Sequence, residues 1–280
     1  MKKSLTPLVL KSSFLALASA VAFAQVPGSQ QNGCSALPNQ AALKTALTSA
    51  TATETSGLNN QMWGVIVDRD GIVCSVAFTG NNRGAQFPGS RVVAAAKANT
   101  ANSFSLDSTS SSGGSGQPYG LALSSANLYS GAQPGGSLFG LAATNPVNVE
   151  VAYAGPASNF GTQYDPMVGQ RVGGIAVIGG GFALYDKNHN VVGAVGVSGD
   201  TACGDHNIGW RVRHNLGFDH MLAGALLPVA GVSGDPLRPD NIIFDITPNP
   251  NGGTGVSPSG FGHPACLNSS GSSTLPQVIP

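Results

Sequence analysis

The residues best suited to chemistry crowd into GAVGVSGDTACGDHNIGW, residues 193–210, where Asp200, Cys203, Asp205 and His206 follow a glycine-spaced apolar strand. Thr201 is a good cap for a helix that begins there, which puts Asp205 in the first turn, where a carboxylate meets the positive end of the helix dipole. The same carboxylate can instead form the polar wall of a pocket. His206 shares a helix face with Trp210, with His214 another turn along, and a neutral imidazole there is a candidate iron ligand. Gly193, Gly196 and Gly199 let a packed backbone or a flat ligand come close to the strand.

Other chemistries are not written in the chain. No G-x-S-x-G, H-E-x-x-H or P-loop occurs, and Ser198 in GVSGD lacks the second flanking glycine of a nucleophile elbow. The glycines of IGGGFAL precede a strand rather than opening a helix, so they do not make a dinucleotide site. The four cysteines are Cys34, Cys74, Cys203 and Cys266. Their even number favours two disulfides in an oxidising compartment, with three pairings open, and there is no C-x-x-C, no C-x-x-C-H and no zinc knuckle.

The N-terminal MKKSLTPLVLKSSFLALASAVAFAQVP has the lysines, the apolar run and the small-residue ending of a secretory signal, with cleavage expected after Ala24. That apolar run is too short to span a bilayer, so no membrane association is expected after cleavage. Loss of Lys2, Lys3 and Lys11 takes 13 basic residues to 10 against 13 acidic, a net charge of about −3. Charged residues make up only 9 % of the chain and form no basic patch, which argues against nucleic acid as a partner.

The elements that must position the 193–210 stretch read as follows. NQAALKTALTSATA, residues 39–52, predicts a short amphipathic helix. Trp63–Val67 and Ile72–Phe78 flank DRDG and predict a hairpin turning at Gly71. Ser90 caps a helix running to about Phe104. Residues 105–120 form a Ser/Gly-rich loop, LALSSANLYSGA a second short helix, and residues 145–172 a long irregular insertion. Strands follow, reversing at DKNHN, and then the helix after Thr201. Residues 224–280 form a loop-rich arm with one strand, NIIFDI, packed on the 25–223 domain and pinned through Cys266. The order implies one largely antiparallel sheet with helices on both faces, an α+β domain.

With those elements in order, the chain resembles the GlcG/HbpS family of haem-binding and haem-processing proteins. WGVIVDRDGIVCSVAF is similar to the family's opening strand pair, and SRVVAAAKANTANSF to its A--KA-TA--f helix. AQPGGSLFGL resembles its QPGG loop, and GGGFALYDKNHNVVGAVGVSGDTACGDHNIGW its GAvGVSG ending. The resemblance implies a profilin-like fold with a five-stranded antiparallel sheet between helical layers, and a homo-oligomer. It also implies the pairing Cys34–Cys74, with Cys203–Cys266 stapling the arm.

Function then reads as non-covalent binding of haem or a related tetrapyrrole by a periplasmic or secreted protein, for capture, storage or sensing. The positions implied for the ligand are Lys97 for a propionate, Thr100, the loop residues Gln133, Gly135 and Gly136, Asp205, and His206 as iron ligand. A structural or interaction module that kept the fold without the ligand is the alternative, as is a haem-degrading enzyme. The chain departs from the family in being exported, disulfide-bearing and longer through its insertions and arm, and with only Glu54 and Glu150 carboxylate-pair iron binding does not carry over.

Overall fold

A computed structural model of the chain describes Met1 and residues 33–107, 120–222, 229–253, 255–266 and 274–280. The expected secretory leader and most of the 105–120 loop lie outside these residues.

Helix α1, Gln40–Thr53, starts where Asn39 Oδ1 accepts the Ala42 N–H at 3.0 Å, and it buries Leu43, Ala46, Leu47 and Ala50. The expected hairpin follows as β1, Trp63–Asp68, and β2, Val73–Phe78. Asp68 Oδ1 shapes its turn by accepting the N–H groups of Asp70 and Ile72, and Gly71 takes the left-handed φ of +78°. Helix α2, Ser90–Phe104, begins at Ser90 itself. Gly89 is the cap and makes no side-chain bond, which corrects the expected role of Ser90, a buried residue of the first turn.

The LALSSANLYSGA segment gives a 3-10 turn, Ser125–Leu128, and a single α turn, α3, Tyr129–Ala132. A single turn, α4 at Leu141–Thr144, leads into the 145–172 insertion, which holds another, α5 at Val149–Ala152. The insertion is held to α2 by Arg91. Its guanidinium pairs with both Asp165 oxygens, donates to Ala152 O at 2.7 Å and stacks 3.7 Å from the Phe160 ring centroid. Strands β3, Gly181–Tyr185, and β4, Val191–Ser198, then flank the DKNHN reversal, and α6, Ala202–Asn215, follows with Thr201 Oγ1 capping Gly204 N–H at 3.1 Å.

The sheet is antiparallel in the order β2-β1-β4-β3, with Trp63 opposite both Phe78 and Ser198. Helix α2 covers one face through Val92, Ala94, Ala95, Ala98 and Ala101, and α1 and α6 cover the other. Both faces being covered, β1 is buried along its whole length.

Among the described residues the sheet has four strands where the resemblance implied five. NIIFDI is not one of them, because its backbone is taken by other groups: Ile242 N–H donates to His206 Nε2 at 3.1 Å, and Ile243 O accepts from His263 N–H at 2.8 Å. Short contacts blunt both sheet edges. Val73 exchanges bonds of 2.9 Å with Gly169 and Gln170, and Tyr185 pairs with the 218–220 segment. Disulfides join Cys34 to Cys74 and Cys203 to Cys266, with Cα separations of 5.1 and 6.0 Å. Among the described residues, no helix is long and apolar enough to cross a membrane.

Candidate functional site

Glycine brings α2 onto the sheet. A Cβ on Gly196 would lie 2.0 Å from Ala94 O, and one on Gly181 2.3 Å from Lys97 O, so neither position accepts a side chain. Here the glycines serve helix-on-sheet packing. The close approach carries Lys97 to the N-terminus of α6, where its Nζ donates to Asp205 Oδ2 at 2.6 Å and to Val197 O at 3.2 Å. Asp205 Oδ1 accepts the Asp200 N–H at 2.8 Å, and Asp200 in turn accepts from Leu58, Asn60 and Thr201 N–H. Lys97 and Asp205 are both buried, and burial pushes the Asp205 carboxyl up to about 6 against the pull of Lys97. Thr100, on the next turn of α2, donates to Ala96 O at 2.7 Å and accepts the Ala176 N–H at 2.9 Å.

His206 is wholly buried. Its Nε2 lies 3.1 Å from both Asn241 Oδ1 and Ile242 N, donating to the first or accepting from the second according to its tautomer, while Nδ1 has no hydrogen-bond partner among the described residues. The ring packs 4.7 Å from Phe182 and 6.3 Å from Trp210. Burial, opposed by the Asn241 hydrogen bond, pushes its pKa down to about 3, so the imidazole is neutral at physiological pH.

One face of α6 carries the contacts to the C-terminal segment. Cys203 bonds Cys266, His206 meets Asn241 and Ile242, Trp210 Nε1 donates to Pro276 O at 2.9 Å, and Arg213 pairs with Asp240. The Arg213 guanidinium is bidentate, at 2.6 and 2.9 Å, and lies 4.6 Å from the Trp210 ring centroid and 4.9 Å from Phe182. Burial opposes its charge, and Asp240 more than offsets that, holding the guanidinium charged. The sequence reading missed this pair. Its signal was the spacing of Cys203, His206, Trp210 and Arg213, one stripe of a helix that carries polar groups where a plain core face would be apolar.

Gln133, Gly135 and Gly136 sit apart from that cluster. Gly136 N–H closes a turn onto Gln133 O at 2.8 Å, and Gly135 has a φ of +86°. Their loop faces Gly255, Val256, Ser257 and Gly260 across a cleft of about 300 Å³. A neighbouring cleft of about 400 Å³ is lined by Tyr129, Gln133, Ile246 and Pro264. A third, of about 910 Å³, runs between α1 and the end of α6, with Leu37, Ala42, Ala46, Leu216 and Phe218 in its walls. None of these clefts is lined by Lys97, Thr100, Asp205 or His206.

Fold and cluster together define a three-layer α+β domain whose buried polar core is closed on one side by a disulfide-held C-terminal segment. A family model described as "Haem degrading protein HbpS-like" matches residues 38–211, more than half of the chain, and the chain belongs to that HbpS-like family. Two solved structures are similar to it. Klebsiella pneumoniae protein ORFY is 21 % identical with a TM-score of 0.39, over 63 % of this chain and 88 % of that one. A structure titled PduOC:heme complex is 18 % identical with a TM-score of 0.39, over 62 % of this chain and 89 % of that one. No curated protein matches the chain.

Haem does not fit at His206 in this arrangement. The Nε2 is already engaged, and the ring is enclosed by Phe182, Trp210 and the 241–242 segment. The loop residues Gln133, Gly135 and Gly136 are the part of the expected set that borders open space.

Proposed function

We propose that this chain is an exported protein that binds haem or a related tetrapyrrole without a covalent link. The observation that carries the reading is the HbpS-like match, which spans Lys97, Thr100, Gln133, Gly135, Gly136, Asp205 and His206. The basic, apolar and small-residue pattern of the N-terminus and the two disulfides support export. In this reading the backbone amide of Gly135, at the exposed tip of the QPGG loop, meets a propionate, while the buried Lys97–Asp205 pair and Thr100 brace α2 against the sheet and α6. His206 becomes an iron ligand only if the 241–242 segment withdraws from it. A homo-oligomer is part of the same proposal.

The burial of Lys97, Thr100 and His206 favours a second reading, a module that kept the fold and uses its surface for protein contacts. A haemin titration of the oxidised protein, followed through the Soret band, separates the two. A saturable, sharpened band supports haem binding. Its loss in folded His206→Ala assigns the ligand there, and its weakening in Gly136→Ala, where a Cβ would lie 2.3 Å from Gly131 O, assigns the loop. No saturable change in the wild-type protein rejects the haem reading and leaves the interaction module.

A further inference from the structure

The Cys203–Cys266 disulfide has a third partner in reach. The two sulfurs and a ring nitrogen of His263 all lie within 4.8 Å of one another. His263 is buried, and burial pushes its pKa down, which favours the neutral ring. Its Nδ1 sits 2.8 Å from Pro264 O, to which it donates, and in a neutral ring this leaves Nε2 deprotonated, with no hydrogen-bond partner among the described residues. A backbone carbonyl holding one ring nitrogen while the other keeps a bare lone pair is the support that metal-bound histidines use, and Nε2 is taken as the ligating nitrogen.

We propose that Cys203, Cys266 and His263 form a binding site for a thiophilic divalent cation, Zn²⁺, once the disulfide is reduced. Two thiolates and one neutral imidazole are the donor set that zinc selects, and three protein ligands leave its fourth position for water. The chemistry balances. A phosphine reductant and one water supply two electrons and two protons to the disulfide, giving two thiols and the phosphine oxide. Zn²⁺ then displaces both thiol protons, and a neutral imidazole releases none.

Access and consequence follow from the fold. The Tyr129 ring packs 5.1 Å from His263, and Tyr129 and Pro264 both line the 400 Å³ cleft, so that cleft ends one residue from the proposed ligands. Cys203 belongs to α6, whereas His263 and Cys266 belong to the C-terminal segment. The metal would therefore hold that segment on α6 in a reducing setting, as the disulfide does in an oxidising one.

The chain offers its own control. Cys34, Cys74 and Asp68 also cluster. There the carboxylate is spent: Oδ2 accepts the Gly33 N–H at 3.2 Å, and Oδ1 accepts those of Asp70 and Ile72 at 3.0 and 2.8 Å. That cluster offers two sulfurs and a satisfied Asp, with no unpartnered donor.

The test is a titration of the phosphine-reduced protein, freed of reductant under anaerobic conditions, with Zn²⁺ against a chromophoric chelator. Co²⁺ in a parallel sample reports thiolate ligation through its charge-transfer absorption. Stoichiometric binding is expected after reduction and none before it. His263→Ala should weaken it at least ~10-fold, since even supporting partners of a metal ligand are worth that much. Cys203→Ser with Cys266→Ser should abolish it, and Cys34→Ser with Cys74→Ser should retain it. Equal affinity in His263→Ala and wild type, the result also expected if reduction unfolds the chain and loose thiols take the metal, overturns the proposal. So does equal binding by the oxidised protein, or no binding by the reduced one. The haem titration can fail without touching any of these results.

Discussion

Replacing His206 by Gln removes one titrating group from the core while leaving a carboxamide that can still meet Asn241 and Ile242. In the folded protein the imidazole has a pKa of about 3, against an ordinary 6.5, because it is buried beneath the C-terminal segment. An unfolded chain takes up a proton at this residue below about pH 6.5 while the folded one does not, so its contribution to stability is present above that pH and lost as pH falls toward 3. Each unit of that window corresponds to about 1.4 kcal/mol, or about 3 kcal/mol between pH 6 and pH 4.

Asp205 acts with the opposite sign in nearly the same window. Its folded pKa of about 6 lies above the ordinary 3.8, so its contribution falls as pH rises from about 4 to 6. The two slopes cancel in the wild-type protein, and His206→Gln exposes the Asp205 slope. Urea unfolding of both proteins across pH 4 to 6 measures this. The stability difference, wild type minus variant, should grow by about 1.4 kcal/mol per pH unit as pH rises. A difference that stays constant across the window would refute the burial of a neutral His206.

Two further outcomes follow from the same packing. Asp240→Asn removes the charge facing the buried Arg213 guanidinium and should cost about 3–5 kcal/mol of unfolding free energy, whereas a loss below about 1 kcal/mol would show that the pair is open to solvent. Gly196→Ala places a methyl 2.0 Å from Ala94 O and should cost about 1–3 kcal/mol by pushing α2 off β4, with an unchanged melting temperature as the contrary result.

Much of this architecture is legible in the sequence because its signals are local. Asn39 before an Ala/Leu helix, DRDG between two β-rich runs, and Thr201 ahead of the Asp205 turn each fix an element within a few residues, and all three elements form. NIIFDI misleads for the converse reason. Its apolar run satisfies a strand pattern, but its hydrogen bonds go to His206 and His263, far away in the chain or in a loop. Ser90 looks like a cap because of its type, whereas the helix starts at Ser90 because Gly89 supplies the preceding turn.

At the candidate site, the sequence presents Lys97 and Asp205 as separate ligand contacts, and the structure pairs them with each other across 108 positions. No local pattern encodes that distance. The pairing of Arg213 with Asp240 is equally hidden, since Asp240 lies in a Pro- and Asn-containing loop with no periodicity of its own.

The central claim is that this HbpS-like chain takes up haem non-covalently, and native mass spectrometry of the oxidised protein mixed with haemin tests it most directly. The account predicts a saturable haem adduct that survives gentle ionisation and is lost completely on denaturation. Absence of any adduct at haemin excess, or an adduct that persists on the unfolded chain, would contradict it.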